Sequence, residues 1–118
     1  MGRTLKNKTF IDSIKCALRG MYKAFNKEKN FKYYILIATT FAILNIINKI
    51  ETYWWIGYVI TTCGVFASEL INTAIERLAD EVTTEIRVLV GEAKDIAASA
   101  VLFWGFGFFL IEILALIS

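Results

Sequence analysis

The run Ser68-Glu69-Leu70-Ile71-Asn72-Thr73-Ala74-Ile75-Glu76-Arg77-Leu78-Ala79-Asp80 places carboxylates and an amide directly after an apolar stretch, Tyr53 to Ala67, long enough to enter a membrane. At 100° per residue, Glu69, Asn72, Glu76 and Asp80 fall at about 0°, −60°, −20° and +20° on a helical wheel, one narrow face. Acidic side chains at membrane depth are costly and mark functional sites. Carboxylates with an amide oxygen are hard ligands suited to Mg²⁺, and a nearby lysine, Lys94, has the charge to meet phosphate oxygens. A carboxylate at the hydrocarbon edge is partly desolvated, which suits a general base. From there it meets a lipid headgroup hydroxyl on one side and a nucleotide on the other. The reaction class that matches this inventory is phosphoryl transfer to a lipid alcohol. There is no Gly-x-x-x-x-Gly-Lys phosphate loop, so side chains must build any nucleotide site, and Gly105-Phe106-Gly107 in its apolar run reads as close helix packing.

Composition sets what these residues stand in. The chain has 118 residues, a length for one domain, and 57% of them are hydrophobic. Proline is absent, which permits long unbroken helices. Histidine is absent too, excluding Ser-His-Asp chemistry, histidine metal sites and histidine proton relays. Cys16 and Cys63 have neither metal-ligand nor disulfide spacing and read as small apolar side chains. Nine of the 13 Lys and Arg residues precede Tyr33: Arg3, Lys6, Lys8, Lys15, Arg19, Lys23, Lys27, Lys29 and Lys32. Beside a membrane span this patch points to anionic lipid headgroups and positive-inside topology, not to nucleic acid.

The expected fold is all-α and integral to the membrane, a single domain over 1–118. An amphipathic surface helix over 7–27 sets Phe10, Ile14, Ala17, Leu18, Met21 and Phe25 against Lys8, Asp12, Lys15, Arg19 and Lys23, with Thr9 and Asp12 resembling a capping box. Membrane helices follow over 31–48, 53–79 and 93–117, the apolar part of the last running from Ile96. The first is no cleavable signal, since it starts about thirty residues in and no small-residue cleavage site follows. Lys49 to Thr52 form a polar turn, Tyr53-Trp54-Trp55 an interfacial aromatic belt, and residues 80–91 a polar loop. The basic amino terminus and the 80–95 loop then lie in the cytoplasm and the 49–52 turn outside. About 20 residues cross a hydrocarbon core of roughly 30 Å, so counting from Tyr53 the cytoplasmic boundary falls near Asn72. Glu69 sits just inside that edge, and Glu76 and Asp80 just outside. Glu28, Lys94 and Asp95 begin or precede spans on the same side, so all can gather at one interface.

Glu69-Leu-Ile-Asn72-Thr-Ala-Ile-Glu76, then Asp80, then Ala93-Lys94-Asp95-Ile-Ala-Ala-Ser-Ala-Val resembles the small prokaryotic diacylglycerol kinase family, which includes an undecaprenol kinase branch. Upstream, Ala17-x-x-Gly20-x-x-x-Ala24-x-x-x-Glu28-x-x-Phe31-Lys32 matches as well, so the resemblance covers nearly the whole chain. It implies a homotrimer in the bacterial cytoplasmic (inner) membrane, using ATP with Mg²⁺, with cytoplasmic active sites shared between subunits. Residue by residue, it implies Glu69 as the catalytic base that takes the lipid hydroxyl proton. Glu28 and Glu76 match the carboxylates that hold Mg²⁺ with the ATP phosphates. Asn72 and Asp80 match positions lining the nucleotide site, Lys94 and Asp95 the pair contacting nucleotide, and Glu85 is a further candidate. Phe31, Lys32, Tyr34 and Ser99 fall at the lipid end.

The chain departs from the family pattern at some positions. Arg87 stands where many relatives have His, and it is carried as a nucleotide residue in that place. Tyr34 stands where the diacylglycerol branch often has Glu. Lys27 to Lys32 and Ala97 to Ala100 are closer to the undecaprenol branch. The leading expectation remains a lipid kinase that makes phosphatidic acid from diacylglycerol, the reaction that names the wider family, the alternative being undecaprenol to undecaprenyl phosphate. A small ion or proton transporter using Glu69 would need polar residues continuing to the outer face, and Tyr53 to Ala67 offers only Thr61 and Thr62. A non-catalytic membrane regulator would give no reason for four polar residues to share a face. Asn45, Asn48 and Glu51 read as solvated span ends, and Glu112 as snorkelling or pairing between subunits. The Phe103-Trp104 and Phe108-Phe109 pairs read as lipid-facing or interhelical packing.

Overall fold

A computed structural model describes residues 9–82, 85 and 87–118. It is all-helical among these, with α1 (Phe10–Lys27), α2 (Lys29–Ile47), α3 (Thr52–Val82) and α4 (Val88–Ile117). Thr9 caps α1, its Oγ1 accepting from the Asp12 backbone N–H at 3.1 Å, as the sequence motif suggests. The expected start of this helix at residues 7 and 8 lies outside the described residues. At Glu28 the backbone turns extended (φ −97°, ψ 122°), ending α1 and opening α2 with this single residue between them. Lys49 closes the α2–α3 turn at φ 51°, a left-handed conformation costing a non-glycine residue roughly 1–2 kcal/mol. Positions 83, 84 and 86 of the expected 80–91 loop also lie outside the described residues.

The helix boundaries correct the sequence reading mainly at that loop. α3 continues to Val82 and α4 begins at Val88, so the last helix starts five residues before the expected 93. Val88-Leu89-Val90 is apolar and opens the helix, and Glu92 and Lys94, which separate it from the apolar run at Ile96, are good helix formers.

α2, α3 and α4 hold 19, 31 and 30 residues and are each long and apolar enough to cross a membrane. At 1.5 Å per residue they measure roughly 28, 46 and 45 Å, so α3 and α4 outrun a hydrocarbon core of about 30 Å and α2 just fits it. The molecule measures 50 × 39 × 20 Å, a thin slab with little interior. Leu102, Phe103, Phe106 and Ile117 of α4 are 70% or more exposed, a surface suited to lipid or to other protein and not to water. Three hydroxyls inside the spans bond back to their own helix, Thr40 to Leu36, Thr61 to Gly57 and Ser68 to Val65, all to backbone carbonyls at 2.8–3.0 Å.

α3 and α4 form the principal contact, an antiparallel hairpin. A Cβ on Gly57 would meet Ile111 Cγ2 at 3.1 Å, and one on Gly64 would run into the Trp104 ring. Seven residues on along α3 are matched by seven back along α4, which fixes the register. These two glycines, and not Gly105 or Gly107, do the close packing. A Cβ at 105 or 107 would meet nothing within 4 Å, and Gly105 instead borders open space between α2, α3 and α4. Gly64→Ala should therefore destabilise the fold by about 1–3 kcal/mol through overpacking against Trp104. Gly91→Ala, where a Cβ meets nothing within 4 Å, should be neutral or slightly stabilising. Thermal unfolding of both in one detergent checks the contrast.

α2 lies against this hairpin through rings and hydrogen bonds. Phe41 meets Phe108 edge-on (5.4 Å, 88°), and the Tyr58 hydroxyl donates to the Ala38 carbonyl at 2.6 Å. Near the 48–51 turn, Asn45 and Glu112 are both wholly buried, and Asn45 Nδ2 donates to Glu112 Oε1 at 3.3 Å. This corrects two readings. Asn45 is no solvated end, and Glu112 pairs within its own chain, because each supplies the polar partner the other needs in an apolar setting.

Candidate active site

The polar face expected on α3 forms. Glu69, Asn72 and Glu76 follow one another along it, with Glu69 3% exposed, Asn72 6% and Glu76 half-buried. Asn72 Nδ2 donates to Glu69 Oε1 at 3.3 Å and to Glu76 Oε1 at 3.4 Å, so one amide bridges both carboxylates. The second Glu69 oxygen accepts from the Tyr34 hydroxyl of α2 at 2.9 Å. A carboxylate buried this far is tolerable only when donors surround it, and Glu69 has one on each oxygen. Asn72 Oδ1, by contrast, is buried with no hydrogen-bond partner.

These side chains wall a cleft of about 760 Å³ between α2, α3 and α4. That size is within the ordinary range for small-molecule sites. Tyr34, Glu69, Asn72 and Glu76 supply its polar wall, and Val65, Ala98, Val101, Leu102, Phe106 and Phe109 the apolar one. Asn30 joins the polar wall and was missed in the sequence. Its signal was its spacing, four residues before Tyr34 and so on the same helix face. A smaller slot of about 70 Å³ shares Tyr34, Val65, Gly105 and Phe109 with the cleft. It adds Ile37, Ala38, Phe66 and Phe108, and its one polar side chain besides Tyr34 is Thr62.

The remaining candidates take other places. Glu28 is half-buried at the α1–α2 junction and does not line the cleft. Asp80 and Lys94 come together from α3 and α4, Nζ to Oδ1 at 3.0 Å, with both side chains reaching solvent. Asp95 is exposed one residue on. Glu85 and Arg87 are exposed and paired with each other at 3.7 Å. Phe31 is wholly buried, stacked on Phe25 at 4.4 Å and flanked by Phe66, so it backs the site without facing it. Lys32 is exposed. The Ser99 hydroxyl is on its own helix, donating to the Ile96 carbonyl at 2.6 Å.

Residues 15–116 match the family model described as prokaryotic diacylglycerol kinase. The chain belongs to that family. It is similar to an undecaprenol kinase of Bacillus subtilis, 33% identical over 92 residues covering 78% of this chain and 75% of that one. It is similar to a diacylglycerol kinase of Haemophilus influenzae, 36% identical over 96 residues and covering 77% of each chain. A diacylglycerol kinase of Helicobacter pylori is 32% identical over 101 residues, covering 80% of this chain and 72% of that one. The protein is accordingly a membrane-embedded lipid kinase. Its relatives carry the names of both lipid substrates expected from the sequence.

Proposed function

We propose that this kinase transfers the γ-phosphoryl group of ATP to the primary hydroxyl of a membrane lipid alcohol, diacylglycerol first. The observation that carries the reading is the buried Glu69 carboxylate, on the polar Tyr34–Asn72–Glu76 wall of a cleft whose other wall is apolar. A lipid hydroxyl arriving along the apolar side meets Glu69, the base. A nucleotide arriving from the polar side meets Asn72, then Asp80, Glu85, Arg87, Lys94 and Asp95. Lys32, Tyr34 and Ser99 serve the lipid end, the Tyr34 ring directly as a wall of both cavities, with Phe31 backing that ring from inside.

Glu76, on the cleft wall, and Glu28, at the α1–α2 junction, would hold Mg²⁺ together with the phosphates. Among the described residues no three acidic, cysteine or histidine side chains are placed to hold a metal by themselves. The donor set nevertheless fits this ion, which keeps several waters and takes one or two carboxylates plus phosphate oxygens. Asn72 Oδ1, buried and without a partner, adds a hard oxygen beside them. When bound, Mg²⁺ offsets the negative charge that builds on the transferring phosphoryl group. Glu76 orients it, and Asn72 keeps Glu76 and Glu69 at a fixed spacing.

The α1 helix lies in the membrane interface. Phe10, Ile14, Leu18 and Met21 face the acyl chains, and Lys15, Arg19 and Lys23 the headgroups. The amino terminus and the active site are on the cytoplasmic side of a bacterial inner membrane, by the charge rule. The chain works as a homotrimer with shared sites. A slab 20 Å thick with open apolar faces supports this, since it encloses no ATP by itself.

Undecaprenol is the second reading, favoured by the near absence of polar atoms in the slot. An apolar site does not strongly reject either lipid. Purified kinase given ATP and Mg²⁺ should phosphorylate both, with diacylglycerol ahead. Matched kcat/KM values in one membrane mimic decide between them. A preference for undecaprenol above about a hundredfold, some 2.7 kcal/mol, would reverse the order. No transfer to any lipid alcohol would overturn the reading.

A further inference from the structure

The Tyr34–Glu69 hydrogen bond joins residues 35 apart in sequence on different helices, and its geometry is set by packing. The Tyr34 ring meets Phe31 of α2 edge-on (6.4 Å, 82°) and Phe66 of α3 edge-on (6.3 Å, 87°). Phe31 and Phe66 are in turn braced by Phe25 of α1. Three helices therefore aim one phenolic hydroxyl at one carboxylate oxygen, while Asn72 takes the other oxygen. The sequence reading put Tyr34 at the lipid end as a possible donor, but its side-chain hydroxyl donates to Glu69.

We propose that Tyr34 is a positioning residue for phosphoryl transfer: its hydroxyl holds the Glu69 carboxylate in the orientation that receives the lipid proton. The proposal rests on the reading of Glu69 as base. In the step, the lipid O–H bond breaks and its proton passes to a Glu69 carboxylate oxygen. The lipid oxygen bonds to the γ-phosphorus. The bond from that phosphorus to the β–γ bridging oxygen breaks, and ADP leaves with the electron pair. Tyr34 keeps its own proton throughout. A glutamate side chain is long and rotatable, and without this anchor it would sample orientations that point away from the hydroxyl. Fixing a base within hydrogen-bond reach of its proton is where proximity gains come from.

Tyr34→Phe keeps the ring and its edge-on contacts and removes only the donor. A hydrogen bond to a charged group corresponds to a loss of roughly 10- to 100-fold, which should appear in kcat. KM for lipid and for ATP with Mg²⁺ should stay within about twofold, as should the yield of folded protein. In a Glu69→Gln background the same substitution should add little further loss, because there is no base left to orient. A KM increase with unchanged kcat would make Tyr34 a lipid contact and overturn the proposal. An equal added loss in both backgrounds would make it structural and overturn it as well. An unchanged kcat beside a deep Glu69→Gln loss would overturn it while leaving Glu69 as base. Near-normal turnover by Glu69→Gln alone would overturn the base reading and this proposal with it.

Discussion

Glu69→Gln lowers kcat by roughly 10²- to 10⁴-fold, the usual cost of removing a general base. The amide is nearly isosteric, and its remaining oxygen can still accept from Tyr34 or Asn72, so the fold should persist. What disappears is the capacity to take a proton from the lipid hydroxyl. The substitution also removes a buried negative charge, so thermal stability should hold or rise. Single-turnover kinetics at saturating lipid and nucleotide separate these effects from binding. Substantially retained turnover would leave the cleft without a base, since Glu76 lies seven residues on and half-buried toward the polar side.

Glu76→Gln should weaken affinity for ATP about 10- to 100-fold when Mg²⁺ is present and by about twofold or less when it is chelated. The magnitude follows from losing one charged ligand contact. The asymmetry follows from the ion bridging carboxylate and phosphate, because without the ion Glu76 only repels the nucleotide. Glu28→Gln should move in the same direction. Nucleotide titration of the purified protein, read by heat or fluorescence, measures both arms without turnover. Equal losses in the two conditions would show Glu76 to be an anchor for Asn72, to which it is bonded at 3.4 Å, and no metal ligand.

The elements were legible because their signals are local. Apolar run length placed the three membrane helices, Thr9 with Asp12 marked the cap of α1 although the helix was read from residue 7, and helical spacing put Glu69, Asn72 and Glu76 on one face. The start of α4 was misplaced because the loop read from the charged stretch before it was carried through Val88-Leu89-Val90-Gly91, which form the first turn of the helix. What stayed hidden depends on partners far along the chain. Tyr34 is 35 residues from Glu69, and Asn45 is 67 residues from Glu112. No spacing rule links such positions, so a paired Glu112 in a span looked like one seeking the interface. Gly57 and Gly64 were likewise invisible as packing sites, since only the facing Ile111 and Trp104 make them so.

α2 is fastened to the rest at three depths by three polar links, at Tyr34, Ala38 and Asn45, each reaching a residue of the α3–α4 hairpin. In hydrocarbon, apolar contact between helices gains little over contact with lipid tails, so such links carry much of the association. This has a consequence for biogenesis. Each span can enter the bilayer as a separate helix, and the hairpin closes on its own glycine register. The link at Tyr34 is the one that touches Glu69, so a chain in the bilayer with α2 undocked would lack the anchor on the proposed base.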